Sequence, residues 1–331
     1  MCGAVCGKTA CAVLIGIYFD CYKSRGIDLL MKKVLITGAN SYIGVSFEKY
    51  ANDKYPQEFF IETLDMIDDG WRSKDFSPYD IVYHVAGIAH HDVGNASDEV
   101  KAKYYSVNTD LAIETAMKAK EAGVKQFVFM SSAIVYGDSA PYGKDKIITW
   151  ETGFNPTCFY GNSKVLADQK IRDLEDSDFS VCVLRPPMVY GKGCKGKYIA
   201  LSKMAKTLPI FPNLDNKRSM IYIENLCEFL CQVMIRNECG VFFPQNVEYI
   251  RTSEMVRIIA EVNNHRIDIS KKWNWIVKLA VRIPGKVSKL ANKAFGNFIY
   301  DQSISEYEFE YRIVDLKESI RRTENCSIHT M

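Results

Sequence analysis

Short apolar runs alternate with longer amphipathic stretches along most of this chain. The first run, Val34 to Ile36, breaks at Gly38 and is followed by Ile43, Phe47 and Tyr50 on one helical face. Further apolar runs follow at 59–64, 80–84, 126–130 and 181–184. Each is short and nearly continuous, as strands buried on both faces are. An amphipathic stretch at 98–122, stopped by Gly123, predicts a long helix. Strands alternating with helices in this way predict an α/β fold, a doubly wound parallel sheet of the Rossmann type. After Pro187 the pattern loosens. We expect residues 31–187 and about 218–250 to form the sheet domain, and 188–217 with 251–325 a smaller C-terminal substrate lobe.

The first thirty residues stand outside this pattern. Thr9 to Phe19 is apolar but shorter than the ~20 residues a bilayer span requires. No small-residue cleavage site is clear, and Met31 opens directly on the first strand. Residues 1–30 are therefore expected to be a dispensable extension. Composition adds little: 47% hydrophobic and 25% charged residues with a net charge of +2 suit a globular protein and give no sign of nucleic-acid binding. The eleven cysteines include no CxxC pair, so reduced thiols in a cytoplasmic protein are expected, and no metal site. The basic stretch 266–293, with Trp273 and Trp275, reads as a lobe helix with a solvated basic face, offset by the acidic stretch 301–310. An interfacial membrane helix is the less favoured reading.

Candidate chemistry collects at the C-terminal ends of the strands. Gly38-x-x-Ser41-x-x-Gly44, between a strand and a helix, makes a place for a pyrophosphate, because glycines admit close backbone approach and a helix N-terminus favours negative charge. Ser41 stands where a middle glycine is expected, so the turn alone is a weak signal. Asp65 lies 21 residues beyond Gly44, a spacing that suits an acid on the ribose hydroxyls of NAD and repels the 2′-phosphate of NADP. The stretch from Asp65 to Asp80 is short for a full strand–helix unit, so Asp65 could instead meet the adenine. Val85-Ala86-Gly87 closes the third strand with small residues, as a backbone beside a cofactor requires.

Tyr160 and Lys164 share one helical face. A tyrosine with a pKa near 10 is a poor base at neutral pH, and a neighbouring ammonium lowers that value. Tyr160 could then take a proton from a substrate hydroxyl, with Ser132 orienting the same oxygen. A YxxxK pair alone proves little among 19 tyrosines: Tyr50 and Lys54 form another. The order of signals separates the two: glycine turn, acid, small-residue strand end, Ser132, then the pair.

With TGANSYIG (37–44), DIVYHVAGIAH (80–90), VN (107–108), FVFMSSAIVYG (127–137), YGNSK (160–164), LRPPMVYG (184–191) and KRSMIYIENL (217–226), the chain from Lys32 to Arg322 resembles an extended short-chain dehydrogenase/reductase of the NAD-dependent epimerase/dehydratase family. The resemblance implies a catalytic Ser132, Tyr160 and Lys164, with Lys164 also on the nicotinamide ribose. It implies NAD contacts at Gly38, Ser41, Tyr42, Ile43, Gly44, Asp65, Met66, Val85, Ala86, Gly87, Asn108, Tyr160, Lys164 and Pro187. Substrate contacts fall on Ser132, Tyr160, Met188 and Arg218, the last matching the arginine such enzymes place on a substrate diphosphate. It also implies a nucleotide-sugar substrate, a role in polysaccharide biosynthesis, and a homodimer joined through helices 98–122 and 160–175. The family's 4,6-dehydratases carry an Asp-Glu pair after the serine; here Ala133-Ile134 follow and cannot move a proton. A 4-epimerase needs only Ser132, Tyr160, Lys164 and retained NAD. A 4-keto reductase uses the same residues with an exchanging cofactor, and a non-catalytic NAD sensor usually loses the tyrosine or lysine. Two features depart from UDP-hexose 4-epimerases: Met188 replaces an asparagine, and the tail at 297–301 lacks a second diphosphate arginine.

Overall fold

The computed structural model describes residues 31–89 and 96–324, so the expectation for residues 1–30 lies outside the described residues. Six parallel strands form the central sheet: β1 Lys32–Thr37, β2 Phe59–Leu64, β3 Ile81–His84, β4 Gln126–Met130, β5 Ser180–Leu184 and, later in the chain, β8 Gly240–Phe242. Their order across the sheet is β8-β5-β4-β3-β1-β2. Val34 lies between Ile61 of β2 and Ile81 of β3, and Val128 of β4 pairs with Cys182 of β5. Every residue of β3 and β4 is buried, which is why both read as unbroken apolar runs.

The six-strand dinucleotide-binding sheet carries one more strand outside β2. Here that strand–helix unit is replaced by a 3₁₀ turn, Asp69–Ser73. Trp71, Phe76 and Tyr79 from this segment pack beside Leu35 and Val82, where a crossover helix would otherwise cover the sheet. The shortness of the 65–80 segment is thus a true omission, and it makes β2 an edge strand.

Helix α1 (Tyr42–Lys54) follows β1 and packs against α6 (Ile223–Arg236) on one face of the sheet. Tyr50 and Tyr55 both donate to the Glu228 carboxylate there, at 2.7 and 2.6 Å. On the other face the stretch expected as one long helix is continuous, with a π turn, Ser106–Asp110, between its parts α2 (Asp98–Tyr105) and α3 (Leu111–Glu121). The extra residue of such a turn re-aims side chains, and it brings Asn108 and Thr109 onto α4 (Phe159–Arg172). Thr109 donates to the Ser163 carbonyl at 2.8 Å and Asn108 to the Ser163 hydroxyl at 3.2 Å.

Beyond β5, the short strand β6 (Met188–Tyr190) pairs with β7 (Met220–Tyr222), with Met188 opposite Met220. Helices α5 (Lys197–Thr207), α7 (Thr252–Val262) and α10 (Leu316–Glu324) pack together; α8 (Asn274–Ala280) and α9 (Lys286–Phe295) flank them. Their apolar side chains are continuous with those under β1: Tyr198, Ala205 and Val256 belong to the same cluster as Val34 and Phe47.

Candidate active site

The strand order reverses between β1 and β3, so the C-terminal ends of these strands open the crevice where a doubly wound sheet binds its ligand. Gly38 sits there with φ +115°, a conformation that suits only glycine, and a Cβ on it would lie 2.6 Å from the Ala86 amide nitrogen. The Gly38 and Ala39 amides donate to the Leu64 carbonyl at 2.9 and 3.1 Å, fixing the turn against the end of β2. Ser41 has a use of its own. It is the N-cap of α1, its hydroxyl accepting from the Gly44 amide at 3.2 Å. The first turn of α1 holds no acidic residue, which leaves its positive end available to an anion. Tyr42 and Ile43 direct their side chains into the apolar cluster, so what they offer the turn is backbone.

Asp65 follows β2 directly and is exposed, its carboxylate accepting from the Ile67 amide at 2.9 Å; Met66 beside it is half-buried. The end of β3 is held by the Val85 and Ala86 amides, both donating to the Thr37 carbonyl. Asn108, fully buried, exchanges two hydrogen bonds with the backbone of Ile88, at 2.9 and 3.0 Å. A side chain on Gly87 would meet Asn108 Oδ1 at 3.0 Å and Lys164 Nζ at 3.4 Å. The glycine turn, bare backbone at Val85–Gly87 and acid at the edge strand fit an NAD molecule laid across the crevice. If Asp65 selects NAD, Asp65→Ala should bring NADP affinity toward that for NAD in a titration of each; a parent protein that already prefers NADP contradicts the role.

Ser132, Tyr160 and Lys164 meet on the other side of β3. Ser132 ends β4 and caps the 3₁₀ turn Ala133–Tyr136. Burial pushes the Tyr160 pKa up to about 12, against the lowering effect of the Ser132 hydroxyl beside it. Tyr104 of α2 stands edge-on to the Tyr160 ring at 5.9 Å. Lys164 is buried, donates to the Met130 carbonyl at 2.9 Å and lies 4.9 Å over the Phe129 ring. Burial brings its pKa down to about 8, against the opposing pull of Asp168. The Lys164 ammonium is thus held at the end of β4, one helical turn on from Tyr160.

Sequence reasoning missed the network behind α4. Asp168, fully buried, accepts from Arg185 at 2.6 and 2.9 Å and from the Ser131 hydroxyl at 2.9 Å. Arg185 also donates to the Tyr136 hydroxyl at 2.7 Å. This ties the helix bearing Tyr160 and Lys164 to the ends of β4 and β5. The available signal was Asp168 at i+4 from Lys164, on the same face.

Pro187 is buried just past β5, and Met188 is half-buried at the start of β6. Arg218 lies on the lobe side, its backbone bridging Ile250 and Phe298 and its guanidinium donating to the carbonyls of Lys293 at 2.9 Å and Gly296 at 3.2 Å. Lys197, at the start of α5, is exposed and stands near Arg218 and Lys293; desolvation and then these two charges lower its pKa to about 8, against the opposing pull of Asp138. Sequence spacing could not show this cluster, because its members lie 21 and 75 residues apart.

A parallel sheet with this switch point and these strand-end groups defines a Rossmann-type short-chain dehydrogenase/reductase. The sequence profile of the NAD dependent epimerase/dehydratase family matches residues 34–241, and the chain belongs to that family, whose usual cofactor is NAD. It is 29% identical to a UDP-glucose 4-epimerase of Vibrio cholerae over 249 residues, 69% of this chain and 75% of the relative. It is 24% identical to the N-acetyl-alpha-D-glucosaminyl-diphospho-ditrans,octacis-undecaprenol 4-epimerase of Escherichia coli O157:H7, over 69% of this chain and 71% of that one. Among solved structures, UDP-glucuronic acid 4-epimerase from Bacillus cereus in complex with NAD superposes with a TM-score of 0.64 at 15% identity, covering 88% of this chain and 97% of the other.

Proposed function

We propose that the protein is an NAD-dependent 4-epimerase of a nucleotide-activated hexose or N-acetylhexosamine, working through a 4-keto sugar. The observation that carries this reading is Ser132 beside Tyr160, with a buried Lys164 one helical turn on and Ala133 and Ile134 in place of proton-moving acids. NAD supplies the hydride acceptor and donor. Tyr160 takes the proton of the sugar C4 hydroxyl and later returns it, and Ser132 holds that oxygen. Lys164, charged below about pH 8, favours the phenolate state and binds the cofactor ribose. Neither Ala133 nor Ile134 can move the proton that loss of water would require, so oxidation at C4 leads back to an alcohol.

Arg218 and Lys197 bind the substrate diphosphate, and Lys197 stands in for the second arginine missing from the tail. Lys197→Gln should raise KM by roughly ten- to a hundredfold with kcat little changed, the expected loss of one charge-assisted hydrogen bond of about 1.5–3 kcal/mol. The free lysine loses its charge as pH rises through about 8, so KM of the parent should climb above that pH and the climb should be blunted in Lys197→Gln. A KM equal to that of the parent at neutral pH contradicts the assignment.

Met188 favours a second reading, a 4-keto reductase. Incubation with UDP-hexoses and no added cofactor separates the two: epimer formation supports the epimerase, whereas no epimer together with NADH oxidation by a 4-keto sugar supports the reductase. Homodimerisation through α2, α3 and α4 belongs to the same proposal.

A further inference from the structure

The helix pair α8–α9 presents an unusual surface for a water-facing lobe. Trp275, Ile276, Leu279, Ile283, Val287 and Leu290 are all exposed, Leu290 by 70% and Trp275 by 57%, while Val277 and Ala291 anchor the pair to the body. From Lys271 to Phe295 the sequence holds seven lysines and arginines and no acidic residue. Lys272 pairs with Asp268 at 2.6 Å and Lys293 approaches Asp138 at 3.7 Å. Among the described residues no carboxylate pairs with Lys271, Lys278, Arg282 or Lys289. No carboxylate of the acidic stretch 301–310 pairs with them: Glu306 pairs with Arg312 at 2.8 Å, and Asp301, Glu308 and Glu310 join no ion pair among the described residues.

A solvated basic helix would turn polar side chains outward. This one turns out large apolar side chains interleaved with uncompensated cations, the pattern of a helix lying in a membrane interface. Tryptophan is favoured at headgroup level, and each Lys or Arg near an anionic leaflet adds to the attraction. No helix of the described residues is long and apolar enough to cross a membrane.

We propose that the α8–α9 face docks the protein on an anionic lipid bilayer. The occupant is set by charge: a bilayer rich in anionic headgroups complements both the cations and the apolar row. The same face adjoins the cleft, because the last turn of α9 supplies the carbonyl of Lys293 that, with that of Gly296, fixes Arg218. Docking would therefore place the diphosphate end of the cleft toward the membrane, as a sugar diphosphate carried on a lipid requires. That consequence rests on the diphosphate reading of Arg218; the docking itself does not.

Sedimentation of the full chain with vesicles tests the proposal without reference to activity. Phosphatidylglycerol-containing vesicles should bind the protein, pure phosphatidylcholine vesicles should not, and binding should weaken as salt screens the charges. Leu279→Ser/Leu290→Ser should weaken binding at least tenfold while leaving the melting temperature and epimerisation of soluble UDP-sugars unchanged. Failure of the parent to bind either vesicle overturns the proposal, as does binding that the double substitution leaves intact. So does light scattering that shows a parent dimer split by the double substitution with no vesicle binding by the parent, since the face would then join two copies of the chain.

Discussion

Tyr160→Phe is expected to keep its cofactor and lose turnover by roughly 10²–10⁴-fold, the usual effect of removing a positioned general base. The substitution keeps the ring against Tyr104 and removes only the hydroxyl that Ser132 contacts. Burial holds this tyrosine at about 12, so little phenolate is present at neutral pH without help from the substrate complex. Single-turnover rates and the NAD content of the purified variant check the prediction together. Near-normal turnover with bound NAD would remove Tyr160 from the proton transfer.

Arg185→Met is expected to give the largest loss of stability, roughly 3–5 kcal/mol, because it leaves Asp168 as a buried carboxylate without its bidentate partner. For a chain of this length each kcal/mol lowers the melting temperature by about 1–2 °C. Ser131 and the more exposed Arg172 remain to Asp168 but cannot replace two short guanidinium contacts. Adding Asp168→Leu to Arg185→Met should cost less than the sum of the two single changes, since the second removes the stranded charge. Strictly additive losses in thermal or denaturant unfolding would show that the two residues do not act as a unit.

How much of this was legible in the sequence follows from the range of each interaction. The strands β1, β3, β4 and β5 were readable because burial on both faces leaves an unbroken apolar run. The omitted strand–helix unit was readable as a length, though nothing foretold that Trp71 and Phe76 would fill its place. The π turn between α2 and α3 was hidden, because Ser106–Asp110 reads as ordinary helix and its partner, Ser163, lies more than fifty residues later. Tyr160, Lys164 and Ser132 were legible as local motifs at predicted strand and helix ends. Their electrostatics were not. Charge counting sets Lys164 beside Tyr160, but it could not show that burial raises the tyrosine to about 12 or that the ammonium donates to the Met130 carbonyl. Lys197 and the Asp168–Arg185 pair escaped because only tertiary packing brings their partners together.

The central claim is that hydride leaves and returns at the same sugar carbon within one bound-cofactor cycle. The most direct measurement is to supply UDP-galactose or UDP-N-acetylgalactosamine deuterated at C4, with no added cofactor, and follow the label by NMR while watching absorbance of reduced nicotinamide. The account predicts the C4 epimer with its deuterium retained at C4 and no build-up of reduced cofactor. Epimer whose C4 deuterium has been replaced from solvent would contradict it. So would no epimer from either sugar by NAD-containing protein that instead oxidises NADH with a 4-keto sugar.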